Sequence, residues 1–293
     1  MKIITINDYL KNTYGEKIYR LSLQSGCTCP NRDGTKGTGG CTFCSEGGSG
    51  EFASHIAPLE IQIEEAKKVI RNKTGARKFI AYFQSYTNTY GDPERLRGLY
   101  MEAAGREDIA ILSIATRPDS ISERMYEVLR ELNDIKPVWV EMGLQTINDE
   151  TAERFNRCYR TEEFLEAYRK LKGIDVKVIA HVILGLPGET EEDMIGTMRF
   201  LSSLDPQLDG IKIHLLQLLR GTVMGEEYLK DPYPLMSLEE YGDLLIKCLK
   251  LLPEGTVVHR FTGDGPKKLL IGPGWCADMK RVLNYLRRRI AEA

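Results

Sequence analysis

Hydrophobic and polar residues along the chain follow, in alternation, the two periods expected of strands and helices. Residues 18–23 (Ile-Tyr-Arg-Leu-Ser-Leu) alternate apolar and polar side chains, as a β-strand does. Short apolar runs then recur, separated by longer amphipathic stretches. The further strands predicted are 79–83, 109–115, 137–142, 176–184, 210–216 and 256–261. The helices predicted are 58–73, 93–104, 122–132, one after Asn148, one after Thr161, 191–204, 237–251 and a basic helix at the end.

Several helix starts carry residues that satisfy the free backbone N–H groups of a first turn. Asp92 precedes Pro93, which is the usual order of an N-cap and a first-turn proline. Ser237 and Glu240 have the spacing of a capping box. Thr161 is expected to cap the helix that follows it, because two glutamates occupy the next two positions.

Strand and helix alternate at least six times, which predicts a parallel sheet with crossover helices. Several of the strands lack a clean period of two, as strands that are buried on both faces should. A barrel and an open doubly wound sheet both fit this pattern. In either fold the carboxyl ends of the strands share one edge.

Unusual polar groups follow the predicted strands, so this edge is the predicted functional site. The groups are the cysteine segment after 18–23, 84–88 after the second strand, 116–119 after the third, 143–145 after the fourth and 185–189 after the fifth. Three further polar residues lie within strands: His181 in the fifth, and Lys212 and His214 in the sixth.

Four of the seven cysteines lie within eighteen residues, at Cys27, Cys29, Cys41 and Cys44. Thiolates select zinc, copper(I) or iron–sulfur clusters. All four could hold a closed structural zinc ion, although Cys27 and Cys29 are closer together than zinc-finger ligands usually are. Alternatively, Cys29, Cys41 and Cys44 could hold a 4Fe–4S cluster with one iron left open. The spacing alone leaves both sites possible.

Composition and charge narrow the class of protein only slightly. The 293 residues are 42% hydrophobic and 28% charged, which is ordinary globular composition, and the net charge of −2 does not indicate a general nucleic-acid binder. A basic cluster near the C-terminus is expected to be a solvated helix face. It consists of Lys280, Arg281, Arg287, Arg288 and Arg289. Since no apolar run reaches the roughly 18 residues of a membrane helix and the start lacks a signal peptide's apolar core, we expect a cytoplasmic protein.

The motifs, read in order, resemble the radical S-adenosylmethionine (SAM) enzymes, in particular the YtqA/YhcC type and the radical-SAM half of the Elongator catalytic subunit. They are 29–34 with 39–44, which includes Phe43 between two cysteines, then 116–119, 141–145, 156–157, 185–188, 212–214 and 220–222. The resemblance runs from about Tyr14 to Cys276. It implies a partial (β/α)6 TIM-type barrel over 1–215, with a cluster loop at 24–52. Residues 216–293 would form a C-terminal extension packed on the barrel.

The same resemblance implies that a 4Fe–4S cluster cleaves SAM to a 5′-deoxyadenosyl radical. By analogy Cys29, Cys41 and Cys44 would be the cluster ligands, with Cys27 a neighbour. The SAM contacts implied are Phe43 and Gly185 near the adenine, Gln145 and His181 at the ribose, Arg157 at the carboxylate, and Gln84 and Ser85 at the amine. Ala115 stands where relatives often have a glutamate, so that carboxylate would have to come from elsewhere. No catalytic residue is assigned.

Some of these residues have plainer explanations. Arg117 could be a buried ion-pair partner of Asp119 or Glu141. His181 could be a satisfied core histidine. Cys158, Cys248 and Cys276 are expected to be packing residues.

Elongator-type enzymes act on the wobble uridine of tRNA, which makes RNA, and tRNA in particular, the expected substrate. Their carboxymethylation needs an acetyltransferase domain, and we do not expect it of this chain. The basic C-terminal helix is a candidate phosphate contact. A reductant such as flavodoxin or ferredoxin is the expected protein partner. The alternatives are a radical SAM enzyme acting on a small metabolite or peptide, and a zinc-stabilised binding module without catalysis.

Overall fold

The structure is a computed structural model that describes residues 3–48, 53–71 and 75–293. Two predictions reach past these ranges, because 49–52 of the predicted cluster loop and 72–73 of the helix predicted over 58–73 lie outside the described residues. No described helix is long and apolar enough to cross a membrane.

The centre of the fold is an eight-stranded, wholly parallel sheet that curls into a half-barrel. Its strands in chain order are β1 (Ile4–Thr5), β2 (Tyr19–Leu23), β3 (Phe79–Phe83), β4 (Ile109–Thr116), β5 (Val138–Gln145), β6 (Lys177–Leu184), β7 (Gly210–Leu215) and β9 (Val257–Arg260). Their order across the sheet is β1-β9-β7-β6-β5-β4-β3-β2. The sheet is open, because β1 and β2 at its two edges do not pair in the described structure.

Helices follow most strands, and most of these helices cover the outside of the sheet. They are α1 (Ile6–Tyr14), α2 (Leu59–Arg71), α3 (Pro93–Ala104), α4 (Glu123–Asn133), α5 (Asp149–Arg154), α6 (Thr161–Gly173), α7 (Glu191–Ser202), α8 (Val223–Lys230), α9 (Leu238–Leu251) and α10 (Met279–Glu292). Asp92 caps α3, and Ser237 with Glu240 forms the capping box of α9, as predicted. Thr161 is the first residue of α6 rather than its cap, since its hydroxyl donates to Ile147 O and Asp149 Oδ1 instead.

The predicted α/β fold with parallel strands is confirmed, and six strands of the sheet are those predicted for the barrel. Two more extend it. Strand β9 comes from the predicted C-terminal extension but pairs between β7 and β1. A separate antiparallel ribbon joins β8 (Leu218–Leu219) to β10 (Leu270–Gly272). The division of the chain at 215/216 stays a prediction.

Side chains on alternate positions of each strand separate into an outer and an inner face. On β3, Phe79, Ala81 and Phe83 belong to the large core under the helices, while Ile80 and Tyr82 face the concave side. Successive strand residues point to opposite faces, so the same register places polar residues on the concave side. Those residues are Glu141 on β5, His181 on β6, and Lys212 and His214 on β7. The apolar part of the concave side packs against α1.

Candidate functional site

A cleft of about 320 Å³ opens at the carboxyl ends of the strands, inside the curl of the sheet. Its lining contains most of the residues that the sequence assigned to the site: Cys29, Cys41, Phe43, Cys44, Gln84, Gln145 and His181. Ser85, Arg157 and Gly185 are not among the lining residues. The polar groups that follow the strands therefore meet at this edge of the sheet, as the sequence predicted.

Side-chain amides join the cysteine loop to the turn after α5. Asn156 Nδ2 donates to Thr38 O at 3.1 Å and to Gly40 O at 2.9 Å, and Asn31 Nδ2 donates back to Asn156 O. Asn156 has a left-handed backbone with φ of 59°, which asparagine tolerates better than most residues. These bonds hold the segment before Cys41 over the sheet edge.

Three cysteines share the cleft and the fourth does not. Burial, together with the neighbouring Cys44 and Cys29 thiols, raises the pKa of Cys41 to about 12. Cys29, Cys41 and Cys44 all line the cleft. Cys27 lies outside the cleft, where its Sγ accepts a hydrogen bond from Arg95 Nη2 at 3.4 Å. The geometry separates Cys27 from the other three.

The cleft thiols have the donor chemistry of an iron–sulfur site. Cys29, Cys41 and Cys44 line the cleft, and three thiols are the kind and number of donors that a 4Fe–4S cluster with one open iron takes. A closed structural zinc site takes four ligands, and Cys27 is not among the lining residues. The cleft residues therefore fit such a cluster by their chemistry.

Phe43 and Gln145 border the cleft in constrained positions. The ring of Phe43 packs against Phe155 at 5.3 Å. Gln145 ends β5 in a left-handed backbone with φ of 63°, at a register shift that begins at Gly143. Tyr159 OH donates to Gln145 Oε1 at 3.1 Å and fixes the amide. A non-glycine residue in this conformation costs about 1 kcal/mol or more, so the surrounding structure must hold Gln145 in it.

Arg157 is placed as a structural residue, away from the cleft. Its guanidinium is fully buried and donates to Tyr159 O at 2.9 Å, Leu144 O at 2.6 Å, Thr146 O at 2.7 Å and Asp149 Oδ1 at 2.7 Å. Four of its five N–H groups are thus used inside the protein, and none is offered to the cleft.

Arg117 is one of three arginines that line the cleft, with Arg32 and Arg260. Its Nε and Nη2 each donate at 2.9 Å to the carboxylate of Asp119, and its guanidinium lies 4.7 Å from the centre of the Tyr159 ring. Burial alone would lower the pKa of Arg117, but Asp119 raises it above its usual value. Of the two ion-pair partners considered from sequence, Asp119 is the one found.

Ser85, Gly185 and Cys158 also differ from their expected settings. Ser85 Oγ is buried without a hydrogen-bond partner and does not reach the cleft. Gly185 has a left-handed φ of 85°, which explains the glycine, but its N–H donates to the sulfur of Met194. Cys158 is exposed rather than packed, because the turn after α5 directs its thiol to Asn31 Oδ1 at 3.1 Å.

The floor of the cleft holds a buried ion pair that the sequence did not identify as a unit. Glu141, 1% exposed, accepts hydrogen bonds from Lys212 Nζ, from His181 Nε2 at 2.9 Å and from Ser113 Oγ at 2.8 Å. Lys212, 3% exposed, also lies 3.1 Å from Tyr82 OH. His181 is therefore a hydrogen-bonded member of this cluster, as the alternative of a satisfied core histidine described, and it also lines the cleft.

The pKa values in this cluster are shifted by burial and by the ion pair. Burial opposes ionisation of Glu141, but Lys212 and His181 hold its pKa well below the usual value. Burial lowers the pKa of Lys212 to about 7 and that of His181 to about 4. Glu141 lies in register with Ala115, so it is the carboxylate nearest to the place where relatives carry a glutamate. An ionisable residue inside the apolar run 138–142 was the signal available in the sequence.

The chain matches two protein-family models. Residues 29–201, more than half of the chain, match the radical SAM superfamily, and residues 208–292 match the radical SAM C-terminal domain. Enzymes of this superfamily use a 4Fe–4S cluster and SAM. The expected family and cofactors are thus confirmed, and a zinc-stabilised module without catalysis is excluded.

Individual proteins show the same relationship. The chain is 40% identical over 287 residues to the uncharacterized protein YtqA of Bacillus subtilis, covering 98% of this chain and 88% of YtqA. It is 31% identical over 132 residues to Elongator complex protein 3 of Dictyostelium discoideum, covering 45% of this chain and 24% of that protein.

A solved structure supports the fold assignment. The archaeal Elp3 of Methanocaldococcus infernus, with residues 1–46 deleted, superimposes with a TM-score of 0.63 at 19% identity, covering 78% of this chain and 57% of that one. At this identity the likeness concerns the fold alone. Taken with the sequence matches, it shows that the chain belongs to the radical SAM superfamily and is a radical SAM enzyme built on a parallel half-barrel.

Proposed function

We propose that Cys29, Cys41 and Cys44 hold the 4Fe–4S cluster and that the enzyme modifies RNA, with tRNA as its substrate. The observation that supports the ligand set is the placement of these three thiols in one cleft and of Cys27 outside it. Cys29, Cys41 and Cys44 would hold the cluster, which when bound would supply the electron for cleavage of SAM.

The residues around the cleft would bind and orient SAM. Phe43, packed on Phe155, would offer an aromatic face to the adenine, and the Gln145 amide, held by Tyr159, would contact the ribose. Since Arg157 is committed to backbone carbonyls, we assign the carboxylate contact to Arg117, which lines the cleft and lies close enough to Cys29 to interact with it electrostatically. The walls would also exclude water from a reactive radical.

The choice of RNA depends on the Elongator relationship. Elongator-type radical SAM enzymes act on the wobble uridine of tRNA, and the matched region of Elongator complex protein 3 belongs to that type. An open half-barrel leaves its cleft accessible from one side, which suits a large substrate whose reacting base must be presented outside its stack.

Two measurements test these parts separately. Anaerobically reconstituted protein, reduced with dithionite in the presence of SAM, is expected to form 5′-deoxyadenosine. Nucleosides from tRNA incubated with the same reaction, analysed by mass spectrometry, are expected to show a mass change that requires SAM. Formation of 5′-deoxyadenosine with no change in any tRNA nucleoside would reject the RNA substrate and favour a metabolite or peptide.

A further inference from the structure

The antiparallel ribbon of β8 and β10 carries three cations beside the cleft mouth. Arg220 directly follows β8, and Lys267 and Lys268 precede β10. The backbone N–H of Arg220 donates to Leu269 O at 2.7 Å, which fixes the two chain segments next to each other. All three side chains are exposed. We call these residues the ribbon cations.

The ribbon cations are not neutralised by the protein. Within the part of the chain that the structure describes, none of their side chains forms an ion pair or a hydrogen bond. On the basic helix α10, Arg289 Nη2 is paired with Asp243 and Arg288 Nε lies 3.8 Å from Glu292, whereas Lys280, Arg281 and Arg287 have no ion-pair partner among the described residues. Position relative to the cleft, and not pairing alone, therefore distinguishes the ribbon cations from α10. With a net charge of only −2 over 293 residues, an unpaired local group of this kind is where an anionic partner would be attracted.

The ribbon is also part of the cleft wall. Residues 263–266, immediately before Lys267, line the cleft, as does Leu219 immediately before Arg220. The wall is fixed by the backbone N–H of Gly265, which donates to Gln217 Oε1 at 2.6 Å. A polyanion that touched the ribbon cations would therefore lie across the opening through which a substrate group enters. No residue of α10 lines the cleft.

We propose that the ribbon cations contact the backbone phosphates of the RNA substrate and hold its reacting nucleotide at the cleft. This inference rests on the proposed RNA function. Contacts from lysine and arginine to phosphates supply most of the affinity that does not depend on sequence, and each one adds to the salt dependence of binding. The proposal places this contact on the ribbon and not on α10.

The test compares two charge reversals of equal size. In reconstituted protein, Lys267→Glu with Lys268→Glu is set against Lys280→Glu with Arg281→Glu on α10. Binding to total tRNA is measured by fluorescence anisotropy at several salt concentrations. The ribbon variant is expected to bind at least about tenfold more weakly at physiological salt and to lose about two from the slope of log affinity against log salt. The α10 variant is expected to match wild type, and Lys267→Arg with Lys268→Arg should bind as wild type does.

SAM cleavage in the absence of RNA provides the internal control. The ribbon variant is expected to form 5′-deoxyadenosine at the wild-type rate, since it leaves the cysteines and the SAM contacts intact. Wild-type affinity and salt slope in the ribbon variant would overturn the proposal, and so would a loss confined to the α10 variant. If wild type cleaves SAM but binds no tRNA, the ribbon contact and the RNA substrate are both rejected, while the radical SAM assignment stands.

Discussion

The buried pair of Glu141 and Lys212 should give two single variants with opposite pH dependence of stability. Lys212→Met leaves the carboxylate of Glu141 buried with only His181 and Ser113 as partners. Glu141→Gln leaves the ammonium of Lys212 buried beside neutral groups. Breaking a buried ion pair from one side typically costs about 3 to 5 kcal/mol.

The sign of the pH dependence follows from which group remains. In Glu141→Gln, the folded pKa of Lys212, already lowered to about 7, stays below its unfolded value, so the unfolded chain binds more protons and stability rises with pH above neutrality. In Lys212→Met, burial now raises the folded pKa of Glu141 above its unfolded value, so stability falls as pH rises through that pKa. The loss of free energy of unfolding relative to wild type should therefore change in opposite directions in the two variants between pH 5.5 and 9.

Both losses of free energy of unfolding can be measured by urea unfolding of reconstituted protein, kept anaerobic and followed by circular dichroism. The double variant should lose less than the sum of the single losses by about 2 kcal/mol or more, because it leaves no unpaired charge. Lys170→Met, which breaks the exposed pair with Glu123, is the control and should cost less than about 1 kcal/mol at every pH. A Lys212→Met variant within about 1 kcal/mol of wild type, or equal pH slopes in the two variants, would refute the buried ion pair.

Three further predictions concern the cleft and its surroundings. Asn156→Ala removes two hydrogen bonds to the cysteine loop, so iron per chain after reconstitution should fall although the free energy of unfolding drops by only about 1 to 3 kcal/mol. Gly143→Ala would place a Cβ 2.5 Å from Gln145 Nε2 and should raise the KM for SAM, measured by 5′-deoxyadenosine formation, with iron content unchanged. Burial raises the pKa of Glu189 to about 7, so the wild-type protein loses stability as pH rises through 7. At pH 8 the free energy of unfolding of Glu189→Gln, measured with urea, should exceed that of wild type by about 2 kcal/mol. At pH 4 the two proteins should be equally stable.

The sequence predicted those parts of the fold that depend on local pattern. The helix starts at Asp92 and Ser237 and the six barrel strands are encoded by residues close together in the chain. The pairing of β9 between β7 and β1 was not predictable in this way, because it joins residues about 250 positions apart and β1 has only two residues.

In the functional site, too, local motifs could be recognised in the sequence and long-range contacts could not. The cysteines, Phe43 and Gln145 were identified because each belongs to a short motif. Arg157 was assigned to the SAM carboxylate by resemblance and Arg117 to an ion pair, and nothing in the sequence indicated that backbone carbonyls surround Arg157. Spacing in the sequence says nothing about those carbonyls.

The central claim is that three cysteines, and not four, hold the cluster in the cleft. The most direct test is 5′-deoxyadenosine formation by four single variants after anaerobic reconstitution. We expect Cys29→Ala, Cys41→Ala and Cys44→Ala each to form none and to hold less iron, and Cys27→Ala to keep its iron and its activity. If Cys27→Ala lost both its iron and its activity, and the wild-type chain held one zinc ion, the claim would be contradicted.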